Sequence, residues 1–126
     1  MTLNDAVITT TLPATDLARA KQFYQDTLGL AIVLEMEAHI MFRTSAGSQI
    51  MLYPRGATTA DHTVCSFDVP DVEAAVAELR GQGVTFEEYD MPGLKTVNGI
   101  ATIGDQKAAW FKDTEGNILG IGETMK

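Results

Sequence analysis

A chain of 126 residues, 45% apolar and 21% charged, is long enough for one packed core and too apolar to be a disordered segment. Its net charge of −8, with no basic cluster, argues against nucleic acid or an anionic membrane as partner, and its single cysteine, Cys65, excludes an internal disulfide. No stretch approaches the roughly 20 apolar residues of a membrane span, and the opening Met1 to Asp5 has neither the basic nor the apolar part of a signal peptide, so a cytoplasmic protein is expected.

Ala6 to Leu12 is β-branched and apolar and reads as a strand, closed by Pro13. Thr15 or Asp16 then caps a helix whose Leu17, Ala20, Tyr24 and Leu28 recur on one face, with Gly29 placed for a left-handed C-cap. Leu30 to Met36 is a second strand. Met41 to Tyr53 is a hairpin about a turn from Thr44 to Ser48. Pro54 to His62 is polar and serves as a linker. Thr63 to Val69 opens again as a strand. Asp71 caps a second helix with Val72, Ala75, Val76 and Leu79 on its apolar face, and Gly81 and Gly83 end it. Val84 to Phe86 is a short strand, Glu87 to Gly104 is long and irregular, and Ala108 to Glu123 is a closing hairpin about Asp113 to Asn117.

The two hairpins follow one plan. Arg43 matches Lys112, Gly47 matches Gly116 and Met51 matches Gly120 at a constant offset, and Leu12 to Asp16 matches Phe67 to Asp71. The chain therefore reads as one unit used twice, a β-α-β-β-β module over about residues 5–54, a linker over 55–62, and a second module over 63–124. Each module is too small to bury its own apolar face. The expected class is α+β, with the modules paired into a curved mixed sheet around a cavity.

Specific residues then resemble a known group. Leu12 to Ala20, with Phe23-Tyr24 and Leu28-Gly29-Leu30, resembles the opening of the vicinal oxygen chelate superfamily, which includes glyoxalases, extradiol dioxygenases and bleomycin-binding resistance proteins. Phe67 to Val72 and Trp110 to Asn117 are similar to its second-half signatures. The resemblance implies paired modules and a homodimer. It also implies metal ligands, mostly His and Glu, at symmetric strand positions that fall here on Thr9, Met51, Val64 and Gly120. None of these is His, Asp, Glu or Cys. Val and Gly have no donor, and a thioether is a poor ligand for a hard cation. A protein without metal or other cofactor is expected.

Other groups with chemistry are few. His39 lies near Glu35 and Glu37, which would make a metal site only if they converged; a solvated strand end is the plainer reading. His62 follows Asp61 in the linker as a loop histidine. Cys65 sits in an apolar strand with no neighbouring cation to activate it. Thr9, Thr11, Met51, Tyr53, Val64, Ser66 and Gly120 share the inward face, with Trp110 at its edge, a mixed lining suited to an organic ligand. Tyr89 and Lys95, on the long irregular segment, would reach that ligand from a lid. The expected function is metal-independent binding of a small, partly aromatic molecule, as in sequestration of an antibiotic or toxic compound. The alternative is an enzyme, a lyase or isomerase, drawing acid–base groups from Tyr53, Tyr89, Lys95, His39 or Glu123, or a metal at unorthodox positions.

Overall fold

A computed structural model describes residues 2–123. Met1 of the opening segment and Thr124, the last residue assigned to the second module, lie outside the described residues. The chain divides between Ala57 and Thr58 into two compact units, and each builds its own sheet.

The first unit contains β1 (Thr9–Ala14), α1 (Leu17–Gln22), β2 (Ala31–Glu35), β3 (Ile40–Arg43) and β4 (Gln49–Pro54), with sheet order β1-β4-β3-β2. β1 runs parallel to β4, and the other pairs are antiparallel. A parallel pair needs a crossover, and α1 supplies it. Asp16 caps α1 by accepting the Arg19 N–H at 3.1 Å. The helix gives way to a π-helical turn over Phe23–Thr27, in which the Leu28 N–H reaches the Phe23 carbonyl. Gly29, at φ 77°, then ends it as expected. Leu12, Ala20, Tyr24, Phe42, Ile50 and Leu52 are buried.

Two boundaries differ from the sequence expectation. The first strand begins at Thr9, not Ala6, because Thr9 pairs with Gln49 and the residues before Gln49 belong to the turn, leaving Val7 and Ile8 no ladder partner. It also continues through Pro13 to Ala14. β1 pairs only with β4, so it is an edge strand, where a missing N–H is tolerated.

The second unit contains β5 (Thr63–Val69), α2 (Val72–Gly81), β6 (Asp90–Met91), β7 (Leu94–Val97), β8 (Ile100–Ile103), β9 (Gln106–Lys112) and β10 (Ile118–Glu123). Its order is β5-β10-β9-β8-β7-β6. The first four strands repeat the plan of the other unit, with β5 parallel to β10 and the rest antiparallel. Asp71 caps α2 through the Ala74 N–H at 3.2 Å, as Asp16 caps α1. The hairpin turns also repeat: Thr44 N–H bonds Ser48 O, Asp113 N–H bonds Asn117 O, and Gly47 and Gly116 hold φ of 95° and 88°. The fold is α+β, built from two β-α-β-β-β modules.

The expected strand at Val84 to Phe86 is a correction. Only the Phe86–Phe111 bridge forms, since β8 already pairs with β9 up to Ala109 and leaves little of that edge open. β8 takes the position that β2 holds in the first module. The segment from Glu87 to Gly104 is accordingly not irregular. It holds β6, β7 and β8, reversed at Pro92-Gly93 and at Asn98-Gly99, where both φ values are positive (53° and 79°).

Candidate functional site

The second unit carries a cleft of about 310 Å³, lined by Asp61, His62, Thr63, Tyr89, Met91, Leu94, Trp110 and Ile118. Strand alternation positions its floor. Lys107, on β9, reaches Glu73 of α2, so Lys107, Ala109 and Phe111 face the helix and Trp110 faces away from it. Across the ladder Trp110 stands opposite Gly120, and Gly120 opposite Ser66. A side chain at Gly120 would be crowded. A Cβ there would lie 2.5 Å from Ser66 Oγ, 3.3 Å from Thr63 Cγ2 and 3.4 Å from Trp110 Cδ1.

A register shift at the start of β10, beside Val64, lets both Thr63 and Ser66 flank Gly120; Val64 is half-buried. Tyr89 meets the indole edge-on, with ring centroids 5.5 Å apart. Its backbone is fixed by Thr96: Tyr89 N–H donates to Thr96 Oγ1 at 2.8 Å, and Thr96 N–H to Tyr89 O at 2.9 Å. Burial, then the nearby Glu87 carboxylate, pushes the Tyr89 phenol above its ordinary pKa, so it stays a protonated donor at neutral pH. At the rim His62 Nδ1 lies 3.8 Å from Asp61 Oδ1, and both side chains are exposed.

Lys95 does not line this cleft. Successive residues of β7 point to opposite faces, so Leu94 borders the aromatic cleft and Lys95 borders a separate groove.

In the first unit Thr9, Thr11, Met51 and Tyr53 share the face of the sheet opposite the buried Leu12, Ile50 and Leu52. Thr11 is opposite Met51, and Met51 opposite Met41. A polar row runs beside them. Gln49 Nε2 donates to Thr9 Oγ1 at 2.8 Å, while Gln49 Oε1 accepts from Arg43 Nε at 3.1 Å and Nη2 at 2.8 Å. Gln49 and Arg43 were not among the residues singled out from sequence. The signal was present, because Gln49 precedes Met51 by two and therefore shares its face.

The residues at the four mapped positions do not fit a divalent metal. Thr9 Oγ1 is engaged by Gln49, Met51 offers only a thioether, Val64 offers nothing, and Gly120 has no side chain and is flanked by Ser66 and Trp110. Glu35 is paired with Lys21 at 2.8 Å, and His39 is exposed in the turn between β2 and β3. Among the described residues no three His, Cys, Asp or Glu side chains gather into a metal-binding group. Cys65 is half-buried, and burial together with the Asp113 carboxylate pushes its thiol up to about 11, the opposite of an activated nucleophile. Among the described residues no helix is long and apolar enough to cross a membrane.

Residues 6–121 match the profile of the Glyoxalase/Bleomycin resistance protein/Dioxygenase superfamily, and the chain belongs to that family. Several solved structures share its fold. UcmS2 superposes with a TM-score of 0.74 at 19% identity, covering 94% of this chain and 98% of that one. TnmS3, an antibiotic binding protein from Streptomyces sp. CB03234, gives 0.66 at 20% identity, covering 96% of this chain and 97% of that one. A lactoylglutathione lyase from Agrobacterium tumefaciens gives 0.67 at 22% identity, covering 94% of this chain and 93% of that one. No curated protein matches the sequence. The same scaffold thus carries a binding protein and a lyase, so the side chains of the site must decide between them.

Proposed function

We propose that this protein binds a small, partly aromatic organic molecule without a metal, in the cleft between Tyr89 and Trp110, and serves to sequester it. The observation that carries the reading is the contact of Trp110 with Gly120. At the position where the family's metal enzymes place a ligand, this chain has no side chain, and an indole edge packs against the bare backbone. The pocket that results is aromatic and apolar. A flat ring can lie against Trp110 with Tyr89 at its edge and Met91, Leu94 and Ile118 as walls. A cleft of about 310 Å³ suits one small ring system. Asp61 at its rim favours a ligand bearing an amine or other cationic group. The likeness to an antibiotic binding protein is in keeping with this use. The reading extends to a cytoplasmic homodimer, supported by the family's habit and the single cysteine.

Trp110 is the only tryptophan, so its emission reports on the cleft directly. Titration with planar aromatic antibiotics and metabolites, in chelator, is expected to give saturable quenching by at least one compound. Tyr89→Ala, read by the same quenching, and Trp110→Phe, read by calorimetry because it removes the fluorophore, should each weaken that compound, the aromatic anchor contributing about 2 kcal/mol, or roughly thirtyfold in affinity. Stoichiometric Zn²⁺, Ni²⁺, Mn²⁺ or Fe²⁺ that survives purification and raises the melting temperature in a dose-dependent way would overturn the metal-free reading.

A further inference from the structure

The second unit has a larger groove, of about 630 Å³, that the aromatic cleft does not use. Its position follows from the sheet. β7 and β8 extend the sheet beyond β9, the outermost of the strands whose packing against α2 buries Val72 and Val76. The side of α2 and the helix-facing side of β7 and β8 therefore enclose a step. Val76, Val97 and Ile100 give it an apolar floor, and Val97 is 65% exposed with nothing covering it among the described residues. Around that floor stand Arg80, Lys95 and Lys107, against Glu73 alone. A patch of positive sign in a chain of net charge −8 runs against the field of the whole molecule.

The cations are not equivalent. Lys107 is engaged by the Glu73 carboxylate, which is the main reason its pKa is raised. Arg80 is held in place from two sides. Its Nη2 donates to the Asn98 carbonyl at 2.5 Å, and its guanidinium lies over the Phe86 ring, 5.5 Å from the centroid. The absence of a side chain at Gly99 permits this, since a Cβ there would stand 2.8 Å from Arg80 Nη2. The guanidinium keeps N–H groups beyond the one spent on Asn98. Lys95 has no ion pair or side-chain hydrogen bond among the described residues, although Asp90 stands across from it in the ladder.

We propose that this groove is a second binding site, for an organic anion with an apolar body, its acid group held between Arg80 and Lys95 and its hydrocarbon part laid on Val76, Val97 and Ile100. Guanidinium and ammonium together recognise a carboxylate through charge-assisted hydrogen bonds. The exposed Val97 and the half-buried Ile100 reward a ring or short chain attached to it. The site is independent of the aromatic cleft, because β7 presents Leu94 to one and Lys95 to the other.

The test is a titration of ¹⁵N-labelled protein with 2-naphthoate, followed by amide shifts, with neutral 2-naphthamide as the matched control. Saturable shifts are expected at residues 76–80 and 95–102 with naphthoate, and shifts at least tenfold weaker in affinity with the amide. Lys95→Glu, at an exposed position, should weaken naphthoate about tenfold or more, and Lys95→Gln, which puts no like charge opposite Asp90, by less. The amide shifts of residues 61–63, 110 and 118, around the aromatic cleft, should not change over the same range. Equal affinity for acid and amide, no effect of Lys95→Glu, no saturation, or shifts confined to residues 61–63, 89–94, 110 and 118 would each overturn the proposal. Such results leave the metal-free aromatic cleft untouched, since that is read by quenching of Trp110.

Discussion

Gly120→Ala separates backbone propensity from packing. Gly120 lies inside β10 without a positive φ, so the backbone tolerates any residue there. On propensity alone alanine should stabilise a strand interior by about 0.5–1 kcal/mol. Packing opposes this. The new methyl would meet Ser66 Oγ at 2.5 Å, with Thr63 Cγ2 and Trp110 Cδ1 at 3.3 and 3.4 Å. The hydroxyl can rotate away, but threonine and indole are then in tight contact, and overpacking of this kind costs about 1–3 kcal/mol. The net expectation is a loss of about 1 kcal/mol, the difference of those two ranges. Combining it with Ser66→Ala removes the worst overlap, and the double variant should recover at least half of the loss, a coupling of about 0.5 kcal/mol or more. Urea unfolding followed by circular dichroism gives the stability, and Trp110 emission reports the indole's displacement. A Gly120→Ala variant as stable as the parent, with unshifted emission, would refute the claim that Trp110 closes this position.

The hairpin turns and the thiol give further expectations. Asp113 is buried and accepts from Glu115 N–H, Asn117 N–H and Asn117 Nδ2, each at 2.8 Å, so Asp113→Ala should cost about 3 kcal/mol in urea unfolding. Its counterpart Thr44 accepts only the Ser48 N–H, at 3.1 Å and exposed, and Thr44→Ala should cost under about 1 kcal/mol. Cys65, pushed up to about 11 in the fold, should label slowly with iodoacetamide at pH 8. Its thiolate fraction falls roughly two hundredfold below that of an unfolded cysteine, and higher intrinsic nucleophilicity returns about tenfold, leaving roughly a twentyfold protection that urea abolishes. The linked effect on stability has a definite sign. The folded thiol holds its proton more tightly than the unfolded one, so this contribution is complete below about pH 9 and is lost as pH rises towards 11. A melting temperature that rises between pH 9 and 11 would contradict it.

The modular fold was legible because it is written twice. Asp16 and Asp71 cap their helices, and Gly47 and Gly116 turn their hairpins, by local rules that need no knowledge of the rest of the chain. The misreadings are tertiary. Val84 to Phe86 has strand composition, but whether it pairs depends on how much of β9 is still open, and β8 has taken most of it. The segment from Glu87 to Gly104 has the look of a loop because its strands are short and its glycines frequent, although Asn98-Gly99 between Val97 and Ile100 is a strong local hairpin signal. The site shows the same division. Period-two alternation places Trp110, Gly120 and Ser66 on one face from sequence alone. It gives no warning that a shift beside Val64 brings Thr63 into their company, or that Tyr89 and Lys95 part to opposite sides of one hairpin.

The repeat also places two different environments at the strand positions that the family resemblance assigns to metal ligands. Met51 and Gly120 occupy equivalent places in their modules, and so do Gln49 and Ile118. In the first module the position keeps a long side chain, and the neighbouring residue organises polar groups: Gln49 ties Thr9 to Arg43 across the strands. In the second the position has no side chain, the neighbour is the buried Ile118, and Ser66 and an aromatic ring pack against the backbone. A single substitution to a histidine or glutamate could restore a donor in the first case. In the second the side chain must also move Ser66 Oγ, which a Cβ at residue 120 would approach to 2.5 Å, with Thr63 and Trp110 close by. A donor is therefore opposed by packing at residue 120 and only by residue choice at residue 51. A Gly120→Glu variant should lose the aromatic cleft before it gains a ligand, seen as weakened quenching with no added metal affinity.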